Sequence, residues 1–381
     1  FRAVQALMRR GDVSDLVIAT DAGREGELVA RWIMEKAGWK KSAKRLWISS
    51  QTDRAIREGF ANLKSAAAYD LLTGWGVADW LVGLNVTRAL TCKHNAQLSA
   101  GRVQTPTLAL IVDREEEIRA FVPKEYYTVS VKVGGFSATW RDKKGQARTF
   151  DREKAEALAA ALAGRNGVLT EVKRTYKQTP PPAAYDLTEL QRDANKKYAY
   201  SAKETLSIMQ SLYEVHKVLT YPRTDSRYIS DDVVPTLPER LRSVMVEEYK
   251  PLALELLRKK PLQTRFLVNN AKVTDHHAII PTAEFVKQGF AGLAESECKL
   301  MNLVCSKLLC AIAAPHEYET VTAVFSCAGN EFTAKGKTVL VPGWKEIDQR
   351  FRATLKADTE EEVLNALPEL AEGQNFSVTT D

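Results

Sequence analysis

The segment Thr220–Tyr228 places a tyrosine two residues ahead of an arginine, in the order Tyr221-Pro222-Arg223. A phenol with a pKa of about 10 is a poor nucleophile at neutral pH. A cation held beside it favours the phenolate and also binds a phosphate oxygen. The spacing therefore indicates attack on a phosphodiester. The alternative is a half-buried tyrosine that caps a loop.

Two acids, Asp21 and Glu25, follow an apolar run at 15–20 that is typical of a buried strand. Carboxylates at the carboxyl end of a strand can bind Mg²⁺, with waters and phosphate oxygens completing its shell. Glu25 could also relay a proton to a leaving hydroxyl. The alternative is an acidic helix start that complements the helix dipole, and Glu27 fits that interpretation better.

The loop at Gly101 carries Arg102 and Gln104, with Arg88 and Lys93 upstream. Glycine permits close backbone approach, arginine offers a fork for phosphate, and the amide is a neutral donor. These features suit a nucleic-acid backbone. A helix–helix turn with a surface arginine remains the alternative.

A further polar segment, 275–282, contains adjacent histidines, His276 and His277. Neighbouring histidines rarely chelate one metal together, but one can bind phosphate while Asp275 orients an imidazole. A buried histidine with satisfied hydrogen bonds is the alternative.

Periodicity predicts a helical block between two β-rich blocks, with a proline linker at 178–183. The predicted helices cover 1–10, 28–37, 53–63, 66–120 with interruptions near Gly101 and Pro106, 151–164, 188–213, 233–257 and 295–313. The predicted strands cover 15–20, 44–50, parts of 125–150, 168–176, 317–349 and the stretch after 372.

The chain has 381 residues, 45% of them hydrophobic, which predicts two to four domains with real cores. The net charge of +6 fits either ordinary solubility or one basic face that follows a polyanion. Five scattered cysteines without a Cys-x-x-Cys pair favour free thiols in a reducing cytosol and argue against a zinc ribbon. No apolar run approaches membrane-spanning length.

In this combination and order, the motifs resemble those of type IA DNA topoisomerases, most similarly the bacterial topoisomerase III branch. The matching segments are Asp21 to Glu27 for the Toprim acidic motif, Asp79 to Gly83, Ser99 to Thr105, Tyr221 to Tyr228 and Asp275 to Thr282. They span nearly the whole chain, and the tyrosine segment is the most specific.

The resemblance implies a multi-domain fold around a toroidal hole, which combines a Toprim α/β domain with helical and β-rich domains. The expected boundaries are 1–63 for Toprim, 64–122 for a helical domain, 123–182 for the first part of a β-rich arch, 183–315 for the helical domain with the tyrosine, and 316–381 for the second part of the arch.

The resemblance also implies the chemistry. Tyr221 would become joined to a 5′ phosphate, Arg223 would steady that phosphate, and His276 and Glu25 would assist catalysis. Asp21 and Glu25 would bind Mg²⁺. The implied DNA contacts are Arg88, Lys93, Ser99, Arg102, Gln104 and Thr224.

Such an enzyme would relax negative supercoils and decatenate DNA without ATP, which agrees with the lack of a Gly-x-x-x-x-Gly-Lys-Ser/Thr loop. Its expected partners are single-stranded and underwound duplex DNA, with a helicase and a single-strand-binding protein as further candidates. The expected location is the cytoplasm, at the nucleoid, with no membrane association.

The chain departs from the family pattern in three ways. Gly23 stands where the middle acid is usually Asp, which predicts looser Mg²⁺ binding that Gly23→Asp would tighten. A first strand with a catalytic Glu and a Lys, and a final helical segment, are not in the sequence, so a fragment is expected. Two other functions stay open: a Toprim nuclease or primase, and a non-catalytic DNA clamp.

Overall fold

A computed structural model describes residues 1–162, 164–244, 250–258, 262–273, 275–354 and 366–380. The chain divides into two compact units, each built from two stretches. The first unit combines 1–120 with 182–312, and the second combines 121–181 with 313–381. Parts of the predicted final β-rich piece, 355–365 and 381, lie outside the described residues.

The first unit begins with a small three-stranded sheet and three helices. In the sheet, β2 pairs in parallel with β1 and antiparallel with β3. The strand predicted at 44–50 ends early, because Leu46 and the residues after it line a cleft instead. The elements are α1 Arg2–Met8, β1 Asp15–Ile18, α2 Arg24–Ala37, β2 Ser42–Arg45, α3 Asp53–Ala61 and β3 Lys64–Ser65.

Two long helices follow, α4 Asp70–His94 and α5 Gln104–Ala120. The predicted interruption at Pro106 is wrong. This proline lies in the first turn of α5, where a missing backbone N–H leaves no helical hydrogen bond unmade. Neither helix has a buried residue, and apolar side chains such as Trp80 and Leu110 are exposed.

The second stretch of the first unit is helical. The single helix predicted over 188–213 is divided, because Ser201 and Glu204 form a capping box that starts a new helix. The helices are α7 Leu187–Tyr198, α8 Ala202–Glu214, α9 Leu237–Ser243, α10 Lys250–Arg258, α11 Ala283–Gln288 and α12 Glu295–Ala311.

The second unit is a closed antiparallel barrel in the order β4-β5-β8-β7-β6-β9. Its interior is filled by apolar side chains that include Trp140, Phe325 and Phe332. The elements are β4 Ser130–Val133, β5 Phe136–Arg141, α6 Arg152–Leu162, β6 Asn166–Thr179, β7 His316–Cys327, β8 Asn330–Val341, α13 Trp344–Thr354 and β9 Asn375–Thr380.

The end of the strand prediction over 317–349 is wrong, since α13 begins at Trp344. Ile347 and Phe351 are buried four residues apart, which is helical spacing and not the alternation of a strand.

All five cysteines are free thiols. Across the described part of the chain, no helix combines the length and the hydropathy that crossing a membrane requires.

Candidate active site

Two irregular segments of the first unit pair with each other and bring the predicted tyrosine and histidine together. Leu219 forms an antiparallel bridge with Pro281, and the Thr220 N–H donates to the Ile280 carbonyl at 3.1 Å. As a result, the rings of Tyr221 and His276 lie 4.2 Å apart, centroid to centroid, tilted by 38°.

Neighbouring side chains fix this pair of rings. Tyr213 packs edge-on against Tyr221, with ring centroids 5.5 Å apart. The Thr224 hydroxyl donates to the His276 carbonyl at 2.9 Å, and Thr224 is only 6% exposed. This placement does not support the predicted DNA contact of Thr224. Its hydroxyl instead holds the backbone that carries His276.

The predicted acids lie on the turn between β1 and α2. Both Asp21 and Glu25 are exposed, so their carboxylates are accessible. The turn is tightly folded, because the Thr20 hydroxyl donates to the Gly26 carbonyl at 2.8 Å. A Cβ added to Gly26 would lie 2.2 Å from the Asp21 carbonyl oxygen. Gly26 is thus required where the start of α2 meets the Asp21 backbone.

A buried ion pair supports the turn, and no sequence motif predicts it. The acidic helix start predicts that Glu27 complements the helix dipole, but its carboxylate is fully buried and lies 3.0 Å from the Arg45 Nε. The Arg45 guanidinium also donates to the carbonyls of Ile18 at 3.0 Å, Thr20 at 2.7 Å and Asp21 at 2.5 Å. Arg45 therefore fixes the backbone at the end of β1.

The tyrosine and the acidic turn share one cleft of about 760 Å³, which Asp21, Tyr221 and His276 all line. Two basic side chains that the sequence analysis did not select, Lys217 and Arg240, line it as well. Lys217 lies four residues before Tyr221 and Arg240 lies twelve residues after Tyr228, but neither belongs to a motif segment, so the motifs did not identify them.

The acidic turn also lines a second cleft of about 820 Å³. Glu25 lines it together with Arg24, Arg102 and Thr105, while Trp75 adds an apolar wall. The acidic turn therefore contributes Asp21 to one cleft and Glu25 to the other.

The other predicted DNA contacts are all exposed and lie on or next to α4 and α5. Arg102 forms an ion pair with Asp79, with Nε 2.8 Å from the carboxylate oxygen. The exposed residues are Arg88, Lys93, Ser99, Arg102 and Gln104.

Burial raises the pKa of Tyr221, and the Asp21 carboxylate raises it further, while Arg223 acts in the opposite direction. The expectation that a neighbouring cation favours the phenolate is therefore only part of the balance. Burial also lowers the pKa of His276, in spite of the carboxylates of Asp21 and Asp275 nearby. Near neutral pH, Tyr221 is a phenol and His276 is a neutral imidazole.

The acids suit Mg²⁺ in donor type, because hard carboxylate oxygens are its preferred protein ligands. Over the residues that the structure describes, no three or more His, Cys, Asp or Glu side chains are grouped so that they could hold a metal ion by themselves. Mg²⁺ usually binds one or two carboxylates and keeps several waters. Asp21 and Glu25 fit that kind of site.

The space next to Gly23 is already filled by a carboxylate from elsewhere in the chain. A Cβ added to Gly23 would lie 2.6 Å from Oδ2 of Asp275 and 3.1 Å from its Cγ. Gly23→Asp is therefore not a simple addition of a metal ligand, as the sequence suggested, because Asp275 must first move.

Another contact links the N-terminal sheet region to the stretch with the tyrosine. The hydroxyls of Ser50 and Thr52 both donate to Oδ2 of Asp232, the latter at 2.5 Å. Burial acts to raise the pKa of Asp232, but nearby hydroxyls, including these two, hold it below its usual value. Motif spacing could not predict this contact, since the partners are about 180 residues apart.

We expect Gly26→Ala to displace the acidic turn. The added Cβ would overlap the backbone of Asp21, so the two predicted metal ligands would move apart, and Mn²⁺ binding measured by electron paramagnetic resonance should weaken about 10-fold or more. Gly74→Ala is the control, because a Cβ there meets nothing within 4 Å. Equal Mn²⁺ binding by the two variants would show that the turn tolerates the change.

Comparison with known proteins gives the family. A family model described as DNA topoisomerase matches residues 76–381. The chain is 50% identical over 383 positions to DNA topoisomerase 3 of Bacillus licheniformis, covering 99% of this chain and 52% of the relative. It is 49% identical over 385 positions to DNA topoisomerase 3 of Bacillus subtilis, covering 100% of this chain and 52% of that relative.

The chain belongs to the type IA DNA topoisomerase family. It spans about half the length of the curated relatives that it matches. The full-length topoisomerase I of Thermotoga maritima shares its fold, with a TM-score of 0.71 and 24% identity, over 100% of this chain and 61% of the other. The match to the family model begins within α4, whereas the alignments with the Bacillus relatives also cover the acidic turn.

Proposed function

We propose that the protein cuts one DNA strand with Tyr221, allows another strand to pass, and rejoins the cut, as a topoisomerase III-like enzyme. The observation that carries the proposal is the packing of Tyr221 against His276, 4.2 Å apart, in a cleft that Asp21 also lines. A nucleophile, a proton-transfer group and an acid are thereby assembled from three distant parts of the sequence.

The proposed reaction is a transesterification. The Tyr221 oxygen forms a bond to phosphorus, the bond from phosphorus to the 3′ oxygen breaks, and the 5′ phosphate remains on the tyrosine. The phenol loses one proton and the leaving 3′ oxygen gains one. Because one phosphodiester replaces another, the reverse reaction reseals the strand without ATP.

Each side chain in the cleft has a proposed part in this reaction. The neutral His276 imidazole contacts the phenol ring and can accept or return its proton. Arg223 is exposed and follows Tyr221 by two residues, so its guanidinium can bind the phosphate. Glu25 is the proposed proton relay for the 3′ oxygen. Asp21 and Glu25 would hold Mg²⁺, which would offset the negative charge of the phosphate.

The DNA strand is proposed to follow the exposed side chains of α4 and α5 to the acidic turn. Lysine and arginine provide affinity for phosphate without reading sequence. Arg102 and Glu25 both line the second cleft, so a strand bound at Arg102 would lie next to the acidic turn. The proposed contacts are Arg88, Lys93, Ser99, Arg102 and Gln104.

The proposed domain organisation follows the family resemblance. The proposed Toprim domain at 1–63, helical domain at 64–122 and tyrosine domain at 183–315 would correspond to the first unit, and the β-rich arch at 123–182 and 316–381 to the second, with boundaries that differ by one to three residues. Relaxation of negative supercoils, decatenation, a toroidal arrangement and cooperation with a helicase and a single-strand-binding protein at the nucleoid belong to the same proposal.

The test is covalent capture. The protein is incubated with Mg²⁺ and a single-stranded oligonucleotide labelled at its 3′ end, then denatured and separated on a gel. We expect the label to migrate with the protein, because the 5′ side of the downstream fragment is attached to it. A DNA clamp would leave no label on the protein, and a nuclease would release shortened, protein-free label.

A further inference from the structure

We propose that Asp275 supplies the carboxylate that Gly23 lacks, so that the metal site of this protein is completed from the segment that carries His276. Asp275 would act on Mg²⁺ through the ion's bound water, beside Asp21 and Glu25. The inference rests on the proposed function, since that function calls for a metal ion at the acidic turn.

Asp275 lies directly next to Gly23. The carboxylate of Asp275 occupies the space in which a side chain at Gly23 would begin, with Oδ2 2.6 Å and Oδ1 3.6 Å from the position of a Cβ. The backbone of Gly23 is extended, with φ −154°, which any residue adopts. The conformation therefore does not require a glycine here, and the obstacle to a side chain is the carboxylate end of Asp275.

Several charged side chains surround Asp275. It lies within electrostatic reach of the Asp21 and Asp225 carboxylates, with Arg24 as an opposing cation. Carboxylates in one small region repel each other unless a cation is held among them. A divalent ion at the acidic turn would remove that repulsion.

Asp275 would contact the metal ion through water. No three acids within the described ranges are grouped closely enough to ligate one metal directly. A carboxylate that lies beside the site can still accept hydrogen bonds from metal-bound water, and such outer contacts commonly contribute 10- to 100-fold to metal affinity, as an order of magnitude. Asp275 is thus a positioning residue for the ion and not a direct ligand.

The proposed metal site combines residues from two separate segments of the chain. Asp21 and Glu25 belong to the turn before α2, whereas Asp275 directly precedes His276, which contacts Tyr221. An ion that interacts with both segments binds best when they are together, so metal binding stabilises that arrangement by linkage. The ion would then be bound most tightly when the tyrosine is in place for the reaction.

The experiment is a double-mutant cycle read by Mn²⁺ binding to the DNA-free chain, measured by electron paramagnetic resonance. Asp275→Asn keeps the shape of the side chain but removes its charge, and we expect binding to weaken by about 10-fold or more. Gly23→Asp should weaken binding or lower the melting temperature, because its Cβ overlaps Asp275. Asp275→Gly is the second single variant of the cycle and should also weaken binding. The exchange variant Gly23→Asp/Asp275→Gly should return binding to within about threefold of the original chain.

Asp142→Asn, on an acid of the second unit, is the control and should bind Mn²⁺ as the original chain does. Unchanged binding in Asp275→Asn, or additive losses in the exchange variant, would overturn the inference. Circular dichroism melting identifies any variant that does not fold, and Asp275→Asn then decides by itself. The outcome is separable from the proposed function, since covalent capture by the original chain does not depend on this cycle.

Discussion

Tyr221→Phe is expected to abolish covalent attachment of DNA while leaving the fold intact. The phenylalanine ring keeps the contacts with His276 and Tyr213, at 4.2 Å and 5.5 Å between centroids, and only the attacking oxygen is lost. Without that oxygen no phosphotyrosine can form. We expect no labelled protein under the capture conditions described above, and a melting temperature close to that of the original chain.

The matched control is Tyr176→Phe, which removes a hydroxyl from a 56% exposed tyrosine of β6. It should capture label as the original chain does. Continued cleavage by Tyr221→Phe, with free fragments and no adduct, would support a Toprim nuclease in place of a topoisomerase. Persistent adduct in this variant would place the nucleophile at another residue.

Arg45→Met should be the most destabilising single substitution at the acidic turn. It would leave the fully buried Glu27 carboxylate without its closest buried cation and would remove donors from the Ile18, Thr20 and Asp21 carbonyls. Breaking one side of a buried ion pair costs about 3–5 kcal/mol. Arg31 still contacts Glu27 at 2.8 Å. We therefore expect a loss in the free energy of unfolding near the lower end of that range, measured by urea denaturation.

Arg54→Met provides the comparison at the surface. Arg54 is 57% exposed and pairs with Glu58 within one helix, so its loss should change the free energy of unfolding far less than the loss of Arg45 does. Adding Glu27→Gln to Arg45→Met should restore part of the lost stability, because the buried charge is then gone. If Arg45→Met unfolds at the same urea concentration as Arg54→Met, the buried pair does not support the turn.

The sequence predicted the motifs more reliably than their surroundings. Tyr221 and His276 could be selected because each has neighbours in the sequence with acid–base or phosphate-binding side chains. The structure does bring the two rings together. Arg45 could not be selected, since an arginine near the start of a predicted strand, directly after Lys44, looks like a surface residue. Its burial depends on Glu27, whose own environment is fixed only when β1, β2 and α2 pack.

Predicted boundaries of helices and strands were wrong where the position within a helix, or packing, outweighed a local sequence signal. Pro106 looks like a helix breaker, but at the start of α5 it is compatible with the helix. The residues after Gly343 continue a β-rich region, yet Ile347 and Phe351 pack as one face of a helix. The contact between Gly23 and Asp275 could not be predicted from the sequence either, because about 250 residues separate the glycine from the carboxylate next to it.

The closed barrel of the second unit has a consequence for synthesis on the ribosome. β9 pairs with both β4 and β6, so it closes the barrel, and it is the last of the six barrel strands to be translated. At roughly 5–20 residues per second, the interval between translation of Thr179 and Thr380 is about 10–40 s. For that time the edges of β4 and β6 are open to pairing with other nascent chains. Slower translation beyond β8 is therefore expected to increase insoluble product during expression.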